Sequence, residues 1–253
     1  MTNRKIALVT GGSRGLGRDM ALNIAKKGLD VVITYHTNES AAHEVISEIE
    51  KAGSSGYALQ LDSRDIKSFG GFYNHLSELL SSARGTNKID YLINNAGTGI
   101  YKPFADTTEE DFDEMMNIHL KGVYFFTQKA LPFLNDGGGI VNISSGLARF
   151  TLPGSSAYAS MKGAIEVFTR YLAKELGSRG IRANVVAPGA VATDFGGGIN
   201  REDENKRRAI SSFTALGRVG EPEDIGSVVA FLCSDDAHWL TAQRIEASGG
   251  TFI

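Results

Sequence analysis

Tyr158 and Lys162 stand one helical turn apart in the stretch SSAYASMK (155–162), and so share one face of any helix formed there. On an ordinary surface helix they are neighbours and nothing more. On a reactive face, an ammonium close to the phenol favours the phenolate and draws the tyrosine down from its usual pKa of about 10. A general acid/base works best when its pKa lies near the working pH. Thirteen residues before Tyr158, at the end of the apolar run GIVNISS (139–145), stands Ser145. Its hydroxyl could hold a substrate oxygen and stabilise charge growing on it. Asn117, in MNIHLKG, is a weak helix former inside a long helical stretch, where a strong one is expected. Asn117, Ser145, Tyr158 and Lys162 are the candidate catalytic residues.

A second group could bind rather than react. TGGSRGLG (10–17) follows the apolar run KIALVT and opens a helical segment, with glycines at Gly11, Gly15 and Gly17 and with Gly12 and Ser13 beside them. Glycines adopt backbone angles that other residues resist, and they let a chain approach a pyrophosphate beneath the partly positive helix N-terminus. An ordinary turn needs one or two glycines, so the spacing predicts a dinucleotide site. An NAD site usually has an acid at the end of the second strand, bonding the ribose 2′-hydroxyl. Here that place reads Tyr35, His36, Thr37, Asn38, and no carboxylate precedes Glu39. Arg14, inside the glycine turn, either meets a 2′-phosphate or faces solvent. NADP(H) is the expected cofactor, and its oxidised ring would add a second positive charge beside the phenol.

The elements that must position these residues follow an alternating order. Short Val/Ile-rich runs at 5–10, 30–35, 55–62, 90–97, 139–145, 182–189 and 244–250 read as strands with their exits. Helical segments such as 17–28, 39–53 and a long one from about Glu109 to Leu134 lie between them. Strands apolar on both faces, separated by helices, predict a doubly wound parallel α/β sheet of about seven strands. That is a Rossmann-type, three-layer α/β/α architecture. No repeat, low-complexity tract or linker divides residues 1–253, so one domain is expected. The segment from Ala190 to Gly220 carries three consecutive glycines and then a dense charge run, and it follows a strand's carboxyl end. Such insertions build lids and substrate pockets. Asn200–Arg208 reads as a solvated helix, while Phe195 and Phe213 either line a pocket or pack elsewhere.

Composition narrows the partners. The 253 residues carry a formal charge of −3 and no basic run, which gives nucleic-acid binding no support. The single cysteine, Cys233, allows no internal disulfide and fits a reducing compartment. No apolar stretch reaches the roughly 18–20 residues of a membrane span, so a soluble, cytoplasmic protein is expected. His36, His43, His75, His119 and His238 show no metal-site spacing and read as exposed or packed. His119, two residues after Asn117, falls on a different helix face.

Taken together, TGGSRGLG, NNAG (94–97), Asn117, Ser145, Tyr158-x-x-x-Lys162, Pro188-Gly189 and Thr193 resemble the short-chain dehydrogenase/reductase family over essentially the whole chain. The resemblance implies hydride transfer between NADP(H) and a small carbonyl or alcohol substrate, with Tyr158 passing the proton. Lys162 would hold the nicotinamide ribose and lower the tyrosine pKa, Ser145 would orient the substrate, and the Asn117 backbone would support a relay water. Asp62 and Ser63 would meet the adenine. Asn95, Ala96 and Gly97 would lie along the cofactor, with Ser13, Arg14 and Leu16 in the turn, His36, Thr37 and Asn38 by the ribose, and Pro188, Gly189, Val191 and Thr193 by the carboxamide. Many members are homotetramers built through two long helices, here about 109–134 and 157–178. In Glu246-Ala247-Ser248-Gly249-Gly250 many relatives carry an aspartate before the glycine pair, a departure that would alter local packing or assembly. Arg179 resembles the basic rim that engages acyl-carrier proteins, but Asn135 and Asp136 do not extend it. The expected activity is a ketone or carbonyl reductase. A 3-oxoacyl-[acyl-carrier-protein] reductase is the alternative, and a non-catalytic NADP-binding sensor or scaffold is the alternative of another class. Phe150, Leu152, Phe195 and Phe213 would make the substrate pocket apolar, and Arg149 either greets an anion or faces solvent.

Overall fold

Strand alternation decides how the layers assemble. The computed structural model describes residues 4–253. Over these residues β1 (Ile6–Val9), β2 (Asp30–Tyr35), β3 (Gly56–Gln60), β4 (Ile89–Asn94), β5 (Leu134–Ile143), β6 (Arg182–Pro188) and β7 (Arg244–Ala247) form one parallel sheet in the order β3-β2-β1-β4-β5-β6-β7. Successive side chains leave opposite faces of a strand. Ala7, Val9, Val31 and Ile33 therefore meet one helical layer, made by α1 (Gly15–Lys26), α2 (Glu39–Lys51) and α9 (Glu223–Leu232). Ile6, Leu8, Val32 and Leu92 meet the other, made by α3 (Phe69–Arg84), α5 (Val123–Ala130) and α6 (Ser156–Leu176). The doubly wound three-layer architecture expected from the sequence is what the chain adopts. Its strand order reverses between β1 and β4, and in such sheets the carboxyl ends flanking that switch open a crevice.

The long helical stretch from Glu109 does not run as one α-helix. Thr108 and Asp111 form a capping box that starts α4 (Glu109–Met116). A π-helical segment, Asn117–Gly122, follows, then α5, and a 3₁₀ turn at Leu131–Phe133 ends the stretch where Leu134 begins to pair with Ile89. A π segment inserts extra residue length into the turn and re-aims the side chains after it. Gly122 sits so close to the Ser63 carbonyl that any Cβ would overlap it, which holds this segment against the exit of β3.

A buried polar chain fixes the middle of the sheet to the helices. Asn94 donates to Thr127 of α5 (2.9 Å) and to Asn142 of β5 (2.7 Å), and Asn142 donates to Thr169 of α6 (2.9 Å). All four residues are buried and each is satisfied, the condition under which such a chain specifies geometry. It locks α6, which carries Tyr158 and Lys162, in register with the strand that delivers Ser145.

Beyond Val191 the chain leaves the sheet. The turn Phe195–Gly198 has Gly196, Gly197 and Gly198 in the left-handed region, and α7 (Ile199–Glu202) and α8 (Glu204–Ser212) follow. Asn200–Arg208 is a largely exposed helical stretch, as the sequence predicts, while Ile210 anchors it on Ala192 and Val219.

The glycine turn depends on how α1 is seated against α9. Gly226 lets the helices touch, because a Cβ there would overlap the Asp19 carboxylate and lie 2.8 Å from Asn23 Nδ2. Gly226→Ala should cost about 1–3 kcal/mol, the usual effect of overpacking. A lower urea midpoint at unchanged slope checks this; an unaltered midpoint would show that the contact is slack.

Candidate active site

The carboxyl ends of β1, β2, β4, β5 and β6 open into one cleft of about 1010 Å³. Its first wall is the glycine turn. Gly11 (φ +65°) and Gly15 (φ +53°) are left-handed, a Cβ on Gly11 would lie 2.9 Å from Ala96 Cα, and one on Gly17 would overlap the Gly11 carbonyl. Arg14, the N-cap of α1, gives no side-chain cap, so the first-turn N–H groups beside Gly15, Leu16 and Gly17 have no side-chain acceptor at the cleft. Asn95 staples this turn to β4 by donating to the carbonyls of Thr10 (2.9 Å) and Gly11 (3.2 Å). Thr10 Oγ1 in turn accepts from the backbone of Asn95 and Ala96. A backbone cradle that no Cβ could enter, at an open helix N-terminus, fits a pyrophosphate.

The far end of the cleft carries His36, Asp62, Ser63 and Arg64. Arg64 grips Asp62 with two hydrogen bonds, Nε to Oδ1 (2.9 Å) and Nη2 to Oδ2 (3.0 Å), which holds the Asp62 carboxyl below its usual range. Thr37 and Asn38 lie outside the lining. The Asn38 side chain caps α2 by accepting from Ala41 N (3.0 Å).

On the floor, Ser145 leaves β5 in extended conformation and its Oγ accepts from Leu147 N (3.2 Å). Tyr158 faces it from the first turn of α6. Lys162 lies one turn further, with Nζ 5.5 Å from the centre of the Tyr158 ring and donating to the Ile143 carbonyl (2.7 Å). Thr193, Pro188, Gly189 and Val191 line the opposite wall. From the spacing alone, the lysine is expected to acidify the phenol. The protein's own groups do the reverse: burial, then repulsion from Tyr101, push Tyr158 well above its ordinary range, and the Ser145 hydrogen bond offsets this only in part. Burial also brings Lys162 down to about 7. Desolvation opposes both charges, and at this depth it outweighs their mutual attraction.

Asn117 is half-buried and lies outside the cleft lining. The π segment instead turns His119 inward, where the sequence reads a packed or exposed histidine on another face. Its ring stands edge-on to Tyr158, with centroids 5.0 Å apart, and Nε2 lies 2.6 Å from the Thr98 carbonyl oxygen. The sequence signal that could have found it is Gly97, whose missing Cβ makes room for this ring.

Four further residues named from the sequence take definite places. Phe195 and Phe213 both line the cleft. Arg149 meets a carboxylate of the protein itself: it grips Glu246 (both contacts 2.6 Å) and the Thr251 carbonyl (2.7 Å), tying down the C-terminal residues. Arg179 is not on the rim of the cleft. It pairs with Asp136 (2.7 Å) and with carbonyls at the amino end of β5, at the opposite end of α6 from Tyr158, about 30 Å away at 1.5 Å per residue. Among the described residues no group of three or more His, Cys, Asp and Glu could hold a metal, and no helix is long and apolar enough to cross a membrane.

A Gly-rich phosphate cradle opposite a Ser, Tyr and Lys floor, on a doubly wound sheet, is the arrangement of a nicotinamide-dependent oxidoreductase. The model of the family described as enoyl-(acyl carrier protein) reductase matches residues 11–251. The chain is 38% identical, over 98% of its length and 94% of the relative's, to a hydroxynaphthalene reductase-like protein Arp2 of Metarhizium brunneum. Among solved structures it is similar to the angucycline C-6 ketoreductase LanV with bound NADP (TM-score 0.93, 38% identity, 98% and 95% covered). It is likewise similar to LugOII, a promiscuous reductase that catalyses keto-reduction at C1 in lugdunomycin biosynthesis (TM-score 0.93, 37% identity, 98% of each chain covered). The chain belongs to the short-chain dehydrogenase/reductase family.

The Lys162 shift carries a signed consequence. Its pKa is 10.5 unfolded and about 7 folded, so between these values the unfolded chain holds a proton that the folded one does not. Stability from this group therefore rises with pH across that window and is flat below it. Urea midpoints should climb from pH 7 towards 10.5 in the wild type, and Lys162→Met should lose that part of the slope.

Proposed function

We propose that the chain is an NADPH-dependent ketoreductase whose substrate is a flat, largely apolar aromatic ketone, with Tyr158 as the proton donor and Ser145 as the group that orients the oxygen. The observation that carries this reading is the set of rings around the Ser145 and Tyr158 hydroxyls. Tyr101 and Phe195 flank Tyr158, with ring centroids 6.1 and 5.9 Å away and both tilted at 54°. Phe150 and Phe213 continue the same wall, and Phe213 is stacked on Phe252 at 4.4 Å. Aromatic walls of this kind favour planar apolar ligands through offset and edge contacts. Relatives described as hydroxynaphthalene and angucycline reductases support the same substrate class.

When bound, NADPH supplies the hydride and leaves a positive ring behind. The residues that would hold it are Gly11, Ser13, Arg14, Gly15, Leu16 and Gly17 at the phosphates, and His36, Asp62 and Ser63 at the adenosine. Asn95, Ala96 and Gly97 would run along its middle, with Lys162, Pro188, Gly189, Val191 and Thr193 at the nicotinamide end. Tyr158 keeps its proton at neutral pH because it is buried, which is the form a donor needs in the reducing direction. An alkoxide forming at the substrate oxygen is a stronger base than a phenolate, so the proton moves as charge grows. Lys162 then stabilises the phenolate, and the Ser145 hydroxyl keeps the oxygen in line. We further propose one domain over 1–253, with 190–220 as its pocket lid, in a cytoplasmic homotetramer. The exposed apolar strip of Phe112, Tyr124, Val167 and Tyr171 on α4, α5 and α6 supports that assembly.

Loss of NADPH absorbance in the presence of hydroxynaphthalenone-type and angucyclinone ketones tests the activity. Turnover of 3-oxoacyl or enoyl carrier thioesters alone would overturn it. Tyr158→Phe should lower kcat by about 10²–10⁴-fold with little change in NADPH affinity. Arg14→Ala should raise the KM for NADPH about tenfold or more and leave NADH unaffected, the loss of one charge-assisted contact to the 2′-phosphate.

A further inference from the structure

One buried group in the cleft has no part in the reading above. His119 is 1% exposed, and its Nε2 faces the Thr98 carbonyl oxygen at 2.6 Å. A carbonyl only accepts, so Nε2 carries the proton and Nδ1 is a bare lone pair. That Nδ1 is sealed from solvent with no partner. An orphan acceptor costs stability, and a buried one in a native fold calls for a reason. The ring is wedged between Tyr158, edge-on at 5.0 Å, and Gly97, where a Cβ would lie 2.5 Å from Cε1. Thr98 closes the Asn95–Gly97 segment along the cleft, and Tyr158 closes the floor. Burial first, then the Lys162 charge, holds the imidazole at about 3 and so neutral.

We propose that His119 is a positioning residue that couples the two walls of the site, its Nε2–H fixing the exit of β4 and its ring edge fixing the Tyr158 phenol. A phenylalanine could pack against Tyr158 but could not donate to Thr98. A glutamine could donate but offers no ring. Histidine does both with the smallest aromatic ring, and the unpartnered Nδ1 is the consequence. The proposal deepens the ketoreductase reading and rests on it for its kinetic half.

The two contacts are separable by mutation. His119→Phe should weaken NADPH binding about tenfold, the worth of one hydrogen bond, with kcat within about threefold of wild type. His119→Gln should keep the NADPH Kd and lower kcat at least tenfold. Fluorescence titration gives Kd, steady-state kinetics give kcat, and a urea melt of each variant separates unfolding from repositioning. If both variants lose stability alone, with Kd and kcat unchanged, His119 is packing and the proposal falls. Should either variant fail to fold, ¹⁵N-histidine spectra of the wild type decide. One ring should stay neutral in the Nε2–H form from about pH 5 to 8, well above its folded pKa, and its resonances should shift when NADPH is added. If every histidine titrates near its ordinary value, the proposal is overturned. If the wild type reduces no aromatic ketone, the ketoreductase reading fails, while the Kd and ¹⁵N results still judge His119.

Discussion

Burying an ammonium beside a phenol is the constraint on which the rest of this molecule depends. Lys162 and Tyr158 lie in the cleft floor, and desolvation opposes the charged form of each. The Ile143 carbonyl, at the end of β5, gives Lys162 a backbone acceptor that keeps it in place. α6 must therefore sit at one height above β5, and the sheet supplies that height through the Asn94, Asn142 and Thr169 chain. Apolar packing sets the distance between layers but tolerates sliding, whereas a chain of satisfied amides permits one register.

A second network stiffens the same floor from the C-terminal side. Ser144, next to Ser145, donates to Glu166 of α6 (2.8 Å), and Arg244 of β7 bridges Glu166 (2.7 Å) to Glu246 (2.8 Å). Arg149 and Ser248 complete the shell around Glu246, whose carboxyl is held down at about 2, chiefly by Arg149. The same Arg149 fixes Thr251, which lines the cleft, and Phe252, which stacks on Phe213 of its wall. Glu246 is the hub of this shell, because its carboxylate reaches two arginines and a serine at once.

Much of the fold and about half of the site geometry were legible in the sequence. Short continuous apolar runs separated by helical ones predicted the doubly wound sheet, since strands buried on both faces have few alternatives. Gly11, Gly15 and Gly17 announced the cradle because only glycine permits those angles and approaches. Tyr158, Lys162 and Ser145 were readable because their offsets, one helical turn and one strand-to-helix connection, are local. The cap that Asn38 gives α2 was not read, because a residue just after β2 serves a cofactor site or a helix start equally well. Arg179 was misplaced because its place on the rim came from resemblance, whereas the 21 residues of α6 carry it to the far end of the sheet.

The sequence by itself determined the class of fold, the glycine cradle and the identity of the tyrosine, lysine and serine, since each follows from local period or from a residue type with one conformational use. Tertiary structure alone decided which way the charges lean and which helix residue faces the phenol. The pKa values of Tyr158 and Lys162 depend on how much water the assembled layers exclude, which no spacing encodes. The inward turn of His119 in place of Asn117 depends on a π segment that forms where Gly122 meets the Ser63 carbonyl, a contact between residues nearly sixty positions apart.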